Sequence, residues 1–321
     1  MKKLGKGLLY LVIAVILIAI VTVSYITLAL PDVSAPENIQ IALTPQRIER
    51  GKYLANHVSL CMDCHSKRDW SKPIGAIDAD KFGAGGDNFD SNDDGLPGNI
   101  YVPNITPHNL KNWTDGEILR AITAGERKDG SAIFPIMPWD YFSKMSREDL
   151  YSIIAYLRTL KPIVTNPYPK RKLDFPLNIL VHTMPQEAML GQIPLQSDTV
   201  KYGAYIIRTA VCGGCHSPLK NGKVIPGMDY AGGRDFKIDG KSYFSANITP
   251  DKATGIGNWT REAFVARFKS FTDSARATHK SPSAFSPMPW YDYSGMKEVD
   301  LKAIYAYLKS IKPVNHKVNN W

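Results

Sequence analysis

Cys61-Met62-Asp63-Cys64-His65 and Cys212-Gly213-Gly214-Cys215-His216 decide the reading of this 321-residue chain. Together they use all four of its cysteines. The spacing is that of covalent c-type haem attachment. Two thiols three positions apart reach the two vinyl groups of one porphyrin, and the next residue sets an imidazole on one face of the iron. The competing readings are a redox dithiol and a zinc pair. Zinc needs four ligands, and each cluster offers three.

Working outward, the chain repeats itself. Cys61 and Cys212 are 151 positions apart, and Met137-Pro138-Trp139 recurs at the same offset as Met288-Pro289-Trp290. So do Asp149-Leu150 with Asp300-Leu301, Ala155-Tyr156-Leu157 with Ala306-Tyr307-Leu308, and Lys161-Pro162 with Lys312-Pro313. Asn104-Ile105-Thr106-Pro107 matches Asn247-Ile248-Thr249-Pro250, and Asn112-Trp113-Thr114 matches Asn258-Trp259-Thr260, at shorter offsets that imply compensating loop insertions. Each half reads as a small helical domain, 46–165 and 198–315. In the first, Thr44-Pro45 starts a helix that leads into the haem motif. A last helix follows the methionine, with Leu150, Ile153, Ile154, Leu157 and Leu160 on one face, and Leu301, Ile304, Tyr305, Leu308 and Ile311 repeat that spacing. Ser146 with Asp149 resembles a capping box. The middle of each half is loop, so the peptide core is thin and the apo-protein is expected to fold poorly. Residues 166–197 form a Pro-rich linker that also holds Phe175, Leu177, Ile179, Leu180 and Val181, so part of it is expected to pack between the domains.

Residues 8–30 carry no charge. About 20 apolar residues span a bilayer, so this stretch reads as a transmembrane anchor. Lys2, Lys3 and Lys6 hold residues 1–7 in the cytoplasm, which places the rest outside. The alternative is a cleaved signal peptide. Its best site ends at Ala35, where Pro36 hinders cleavage.

His65 and His216 each supply one axial ligand. Electron carriers fill the other position, most often with Met or His. Met137 and Met288 are the candidates: each lies 72 residues after its histidine and precedes Pro-Trp, which restricts the backbone. Met145 and Met296 also repeat, but they precede the last helix, where a packing residue belongs. His57, His108, His182, His279 and His316 do not recur in both halves. Met62 sits inside the attachment loop and cannot reach the far face. Trp113, Trp259, Asn104 and Asn247 are expected at the haem edges.

With these residues the chain resembles the class I c-type cytochromes in tandem dihaem form, over residues 46–315. The Asn-Ile-Thr-Pro segments, Thr254-Gly255-Ile256-Gly257-Asn258-Trp259, Met-Pro-Trp and Phe175-Pro176-Leu177-Asn178-Ile179 resemble the cytochrome subunits of membrane-bound alcohol and gluconate dehydrogenases. Those subunits usually carry three haems, and this chain has motifs for two. The resemblance implies a mainly α fold and close helix crossings at Gly51 with Tyr156 and at Gly203 with Tyr307. It also implies a bacterial cytoplasmic membrane, with two covalently bound haem c groups on its periplasmic side.

The formal net charge is +9. Residues 46–165 hold 15 basic and 16 acidic side chains, and residues 198–321 hold 18 and 10. A basic second half is suited to steering onto an acidic redox partner, with Lys302, Lys309 and Lys317 on that face. The alternatives are a solvated surface and anionic lipid; nucleic acid is not expected outside the membrane. The first haem would take electrons from a quinol-oxidising complex or dehydrogenase, and the second would pass them to an acceptor such as a terminal oxidase. A dihaem peroxidase is the enzymatic alternative and a gas sensor a third. Both need an open iron position in one half, and both halves keep the methionine. Asp90-Ser91-Asn92-Asp93-Asp94-Gly95 matches half of a calcium loop, but position twelve is Tyr101, so a solvated acidic turn is the expectation.

Overall fold

The computed structural model describes residues 2–69, 76–90, 96–220, 222–238, 241–271 and 286–318. Residues 91–95 of the acidic loop, and His279, lie outside the described residues. Helix α1 (Lys2–Ala29) is apolar over Gly5–Ala29, with mean hydropathy 2.8 and none of its most apolar stretch buried. By length and composition it can cross a membrane.

The first half runs α2 (Pro45–Tyr53), a π-helical turn (Leu54–Val58), α3 (Cys61–Cys64), strands β1 (Asn88–Asp90) and β2 (Gly98–Tyr101), then α4 (Asp115–Ala124), α5 (Trp139–Phe142) and α6 (Arg147–Thr159). The linker adds β3 (Lys172–Leu173) and α7 (Leu177–Leu180). The second half repeats the order with α8 (Thr199–Thr209), α9 (Cys212–His216), β4 (Asp235–Ile238), β5 (Lys241–Phe244), α10 (Arg261–Lys269), α11 (Trp290–Ser294) and α12 (Glu298–Ser310).

Local chemistry sets these boundaries. Thr44 Oγ1 accepts from the Arg47 N–H and Pro45 takes the first helical position, as the sequence predicts. The repeated Asn-Trp-Thr proves to be a cap: Thr114 and Glu117 form a capping box on α4, and Thr260 Oγ1 accepts from Ala263 N on α10. Ten positions separate Gly51 from Cys61, but nine separate Gly203 from Cys212. The wide π turn in the first half absorbs the extra residue.

First and last helices cross at the glycines. A Cβ on Gly51 would sit 1.8 Å from Ser152 O and 2.9 Å from Tyr156 Cβ; on Gly203 it would sit 2.0 Å from Ala303 O and 3.0 Å from Tyr307 Cβ. Only glycine allows that approach. Leu150, Ile153, Ile154 and Leu157, and Leu301, Ile304 and Leu308, are buried, while Leu160, Tyr305 and Ile311 are partly buried at the edge. One continuous apolar core joins both halves.

Two buried carboxylates knit the halves together reciprocally. Tyr53 OH of the first half donates to Asp300 of the second, which also accepts from Tyr202 OH at 2.8 Å. Tyr205 OH of the second half donates to Asp149 of the first at 2.6 Å, and Arg50 donates both Nε and Nη2 to the same carboxylate at 2.8 and 2.9 Å. The tyrosines accept in turn from Lys297 N and Ser146 N. Only half of the expected capping box at Ser146 therefore forms. Ser146 Oγ caps Asp149 N, but the Asp149 carboxylate is spent on Arg50 and Tyr205. Burial raises the Tyr202 hydroxyl to about 12, with the Asp300 charge adding to it.

The linker differs from expectation. Most of it packs on the first half, and only its end reaches the second, where Gln196 donates to Tyr202. Its β3 extends the β1–β2 sheet, Leu173 and Val181 join Leu96, Ile100 and Ala132 in a small second core, and Gly191 lies against Lys144 O. Phe175 stays 80 % exposed. The reason is that β2 has a free edge for β3 to pair with.

Candidate haem-binding site

Both attachment motifs begin from the same strained turn. Leu60 and Val211, each just before the first cysteine, lie at φ 53° in the left-handed region. Neither is glycine, and such positions cost about 1 kcal/mol or more each. Repetition of the strain at both motifs ties it to presenting the thiols. Cys61 with Cys64, and Cys212 with Cys215, then fall on one helical turn, and none of the four is in a disulfide.

The histidines are set by one device in both halves. His65 Nδ1 lies 2.8 Å from Pro103 O and His216 Nδ1 lies 2.7 Å from Ala246 O. A carbonyl only accepts, so Nδ1 carries the proton and the Nε2 lone pair is left for a metal. Among the described residues neither Nε2 has a hydrogen-bond partner. Gly85 N and Gly232 N donate to the histidine carbonyls and hold the loops against the motifs. Desolvation lowers His65 to about 4, against the small opposing effect of the Pro103 hydrogen bond, and His216 shifts down for the same reason. Both imidazoles are therefore neutral ligands at neutral pH.

The thiols speak against the dithiol reading. Desolvation pushes Cys61 and Cys212 up to about 12, whereas a redox cysteine needs a lowered value. A haem fits this donor set: two protonated thiols and one oriented neutral imidazole per motif.

Met137 and Met288 share one backbone. In each, the tryptophan two residues on donates to the methionine carbonyl at 2.8 Å, and the proline between lies near φ −80° and ψ 53–62°, an inverse γ-turn. Both side chains are partly buried against the core, while Met145, Met296 and Met62 are each 1 % exposed and serve packing. Trp139 is clamped by a hydrogen bond from Nε1 to Ile133 O and by Gly125, where a Cβ would meet its ring at 2.6 Å.

The two motifs face each other across the interface. Cys64 lies near Cys215, and buried Tyr293 of α11 lies near Cys212, Cys215 and Cys64. In the mirrored position, Tyr141 of α5 lies against Gly213 and Gly214. The other described histidines are engaged through Nδ1 with backbone carbonyls, His57 with Asp292, His182 with Leu30 and His316 with Ala231; His108 occupies a half-buried turn.

Asn104 and Asn247 share one pattern of partners. Asn104 Nδ2 donates to Ile163 O and Thr165 Oγ1, and its Oδ1 accepts from Thr106; Asn247 does the same with Val314 O, Thr254 and Thr249. Both amides are spent stapling the segment after the last helix, which leaves no donor for a propionate. Trp113 is half-buried and Trp259 is 39 % exposed, and their carbonyls accept from Arg158 and Tyr305.

Sequence reading missed Arg127 and Arg171. Arg127 is half-buried, and its charge reaches His65. Arg171 donates to Ala132 O, and the two cations repel. Burial lowers both, with only the Asp129 charge opposing. Arg127 lies near His65, and Arg171 lies near Arg127. They come from separate loops, so no local pattern announces them.

This geometry is that of a haem protein of the cytochrome c kind, and a cytochrome c family model matches residues 200–312. The chain is 31 % identical over 285 residues to the fructose dehydrogenase cytochrome subunit of Gluconobacter japonicus, covering 82 % of this chain and 52 % of that one. It is 27 % identical over 290 residues to the cytochrome c subunit of a quinone-dependent alcohol dehydrogenase from Gluconacetobacter polyoxogenes, covering 85 % and 58 %. With a diheme c-type cytochrome of Cereibacter sphaeroides it shares 26 % identity over 239 residues, 68 % of this chain and 73 % of that one. The chain thus carries a cytochrome c domain. It is homologous to the cytochrome c subunits of fructose, alcohol and gluconate dehydrogenases, and it spans little more than half the length of the first two relatives.

Proposed function

We propose that this protein is a membrane-tethered dihaem electron carrier built from two tandem cytochrome c domains. The single observation that carries the reading is the duplicated motif in which each histidine is held, through the same Nδ1 contact, with Nε2 open. The diheme relative supports the count of two.

Cys61 and Cys64 would hold one haem by thioethers, with His65 and Met137 as candidate iron ligands; Cys212, Cys215, His216 and Met288 would do the same for the second. Bound haem supplies a one-electron ferric–ferrous couple, and a thioether ligand raises its potential. Pro103 and Ala246 fix the imidazoles, the Pro138 and Pro289 turns fix the methionines, and the apolar core excludes water. Arg127 and Arg171 would take propionate charge at the first haem. Facing motifs suit electron exchange between the halves, so that no bond chemistry falls to the protein.

Helix α1, with Lys2, Lys3 and Lys6 before its apolar run, supports a single-pass anchor with the haem domains on the outer side. The relatives support a dehydrogenase as donor; a quinol-oxidising complex is the other class. The basic second half suits an acidic acceptor such as a terminal oxidase. A peroxidase gains no support, since Met137 and Met288 sit in matching turns and neither half is singled out for an open iron.

Optical spectra of the reduced, purified full chain with and without carbon monoxide test this. Two haems per chain and no gas binding are expected. Ready binding at one haem would remove a methionine ligand and revive the enzymatic alternative.

A further inference from the structure

We propose that the linker segment 173–183 is a second membrane contact that seats the first half directly on the bilayer surface. This rests on reading α1 as an anchor. Helix α7 and the turn Val181–Thr183 pack against α1, and His182 Nδ1 holds Leu30 O at 3.2 Å. The clamp continues beyond the helix. Ser34 N donates to Glu187, Arg147 pairs with Glu37, and Ile41 N donates to Asp115 at 2.8 Å. No flexible tether separates the anchor from the first half.

Helix geometry gives the depth. With Lys6 at the inner interface, about 20 residues at about 1.5 Å each cross a hydrocarbon core of about 30 Å. Leu28, Ala29 and Leu30 then emerge at the outer interface. The segment touching them lies at that same level. On it Phe175 is 80 % and Leu180 is 41 % exposed, while Leu173 and Val181 point into the protein. Lys170 and Lys172 precede this apolar pair, with Asp174 as the intervening acid. Aromatic and aliphatic side chains flanked by lysine at the end of a spanning helix are suited to the headgroup–acyl boundary. The occupant of this face is therefore lipid.

The test uses the full holoprotein in nanodiscs of phosphatidylcholine and phosphatidylglycerol doped with a lipid bearing a photoactivated diazirine high on its acyl chain. Peptide mapping by mass spectrometry reads where the carbene inserts. Insertion is expected in α1 and in 173–183, but not at Leu219 or Val299, which are exposed and apolar on elements that do not pack on α1. The double variant Phe175→Ser with Leu180→Ser is expected to lose the labelling of 173–183 and keep that of α1. Labelling of α1 without 173–183 would overturn the seat and leave the anchor standing. Equal labelling at Leu219 would overturn it too, because insertion would then track exposure and not position. Absence of label from α1 would overturn the anchor itself, and the seat with it.

Discussion

The two halves use one plan and solve its most exposed problem differently. Each places an aspartate, 2 % or 1 % exposed, at the start of its last helix and offers it to a tyrosine from the opposite half. In the first half Arg50 completes the site and the carboxylate is ion-paired. In the second, Tyr202 stands in the matching place, and among the described residues the carboxylate's hydrogen-bond donors are two tyrosine hydroxyls. The halves also differ in attachment. Helix α1, the clamp and most of the linker bear on the first, while the second joins it mainly through the shared core and the tyrosine contacts. The half that carries helix α1 and the linker is thus the mounted half, and the other is the presented half.

The largest test of that comparison strikes what the halves share. Gly51→Ala and Gly203→Ala each drive a methyl group to 2.0 Å or less from a carbonyl oxygen. Backbone must move, so each should cost about 3 kcal/mol or more. Each variant should lower the thermal midpoint and the haem yield by similar amounts. If one variant is tolerated, the two crossings are not equivalent.

Next comes the difference itself. Asp149→Asn strands the Arg50 guanidinium, three-quarters buried, and should cost about 3 kcal/mol. Asp300→Asn leaves an amide oxygen to accept from tyrosine and strands no charge, so about 1 kcal/mol is expected. Chemical denaturation of the two holoproteins checks the order. Equal losses would mean that the Arg50 pair contributes nothing beyond a hydrogen bond.

How far the sequence carries the reader follows from the range of each interaction. The Cys-x-x-Cys-His strings and the Thr44-Pro45 start rest on neighbours or on one internal repeat and are legible, whereas the Gly51–Tyr156 crossing is reached only through the family resemblance. The π turn is legible only as one extra residue between Gly51 and Cys61. The Asp149–Tyr205 and Asp300–Tyr53 contacts cross between halves, and nothing local to Ser146 reveals that its capping partner is spent elsewhere. The stapling role of Asn104 and Asn247 is not legible locally, because their partners Ile163 and Val314 lie some sixty residues away. Arg127 and Arg171 become a pair only once the linker has folded back.

That pair supplies a smaller test. Removing a half-buried positive charge near His65 stabilises the ferric state. Arg127→Gln should therefore lower one of two midpoint potentials by about 30 mV, or roughly 0.7 kcal/mol for one electron. The other should stay fixed, because Arg127 belongs to the first half. Potentiometric titration followed optically separates the two. Movement of both would mean that the halves do not titrate independently; movement of neither would remove Arg127 from the haem's surroundings.

The smallest effect expected lies on the presented half. Its excess of basic side chains is a surface property, so single charges matter little and salt screens them. Lys309 is a poor probe, since its ammonium donates to Gly257 O and lies over the Tyr305 ring. Lys302 is partly offset by Glu298 at 2.9 Å. Lys302→Gln combined with Lys317→Gln should slow oxidation by an acidic acceptor about two- to threefold at low ionic strength, and not at about 0.15 M, where the screening length is about 8 Å. Matched substitutions on the mounted half, Lys52→Gln with Lys111→Gln, should leave the rate unchanged. Stopped-flow oxidation at both salt concentrations reads all four rates. A loss that survives high salt would point to contact rather than steering, and an equal loss from the first-half pair would erase the distinction between a mounted and a presented half.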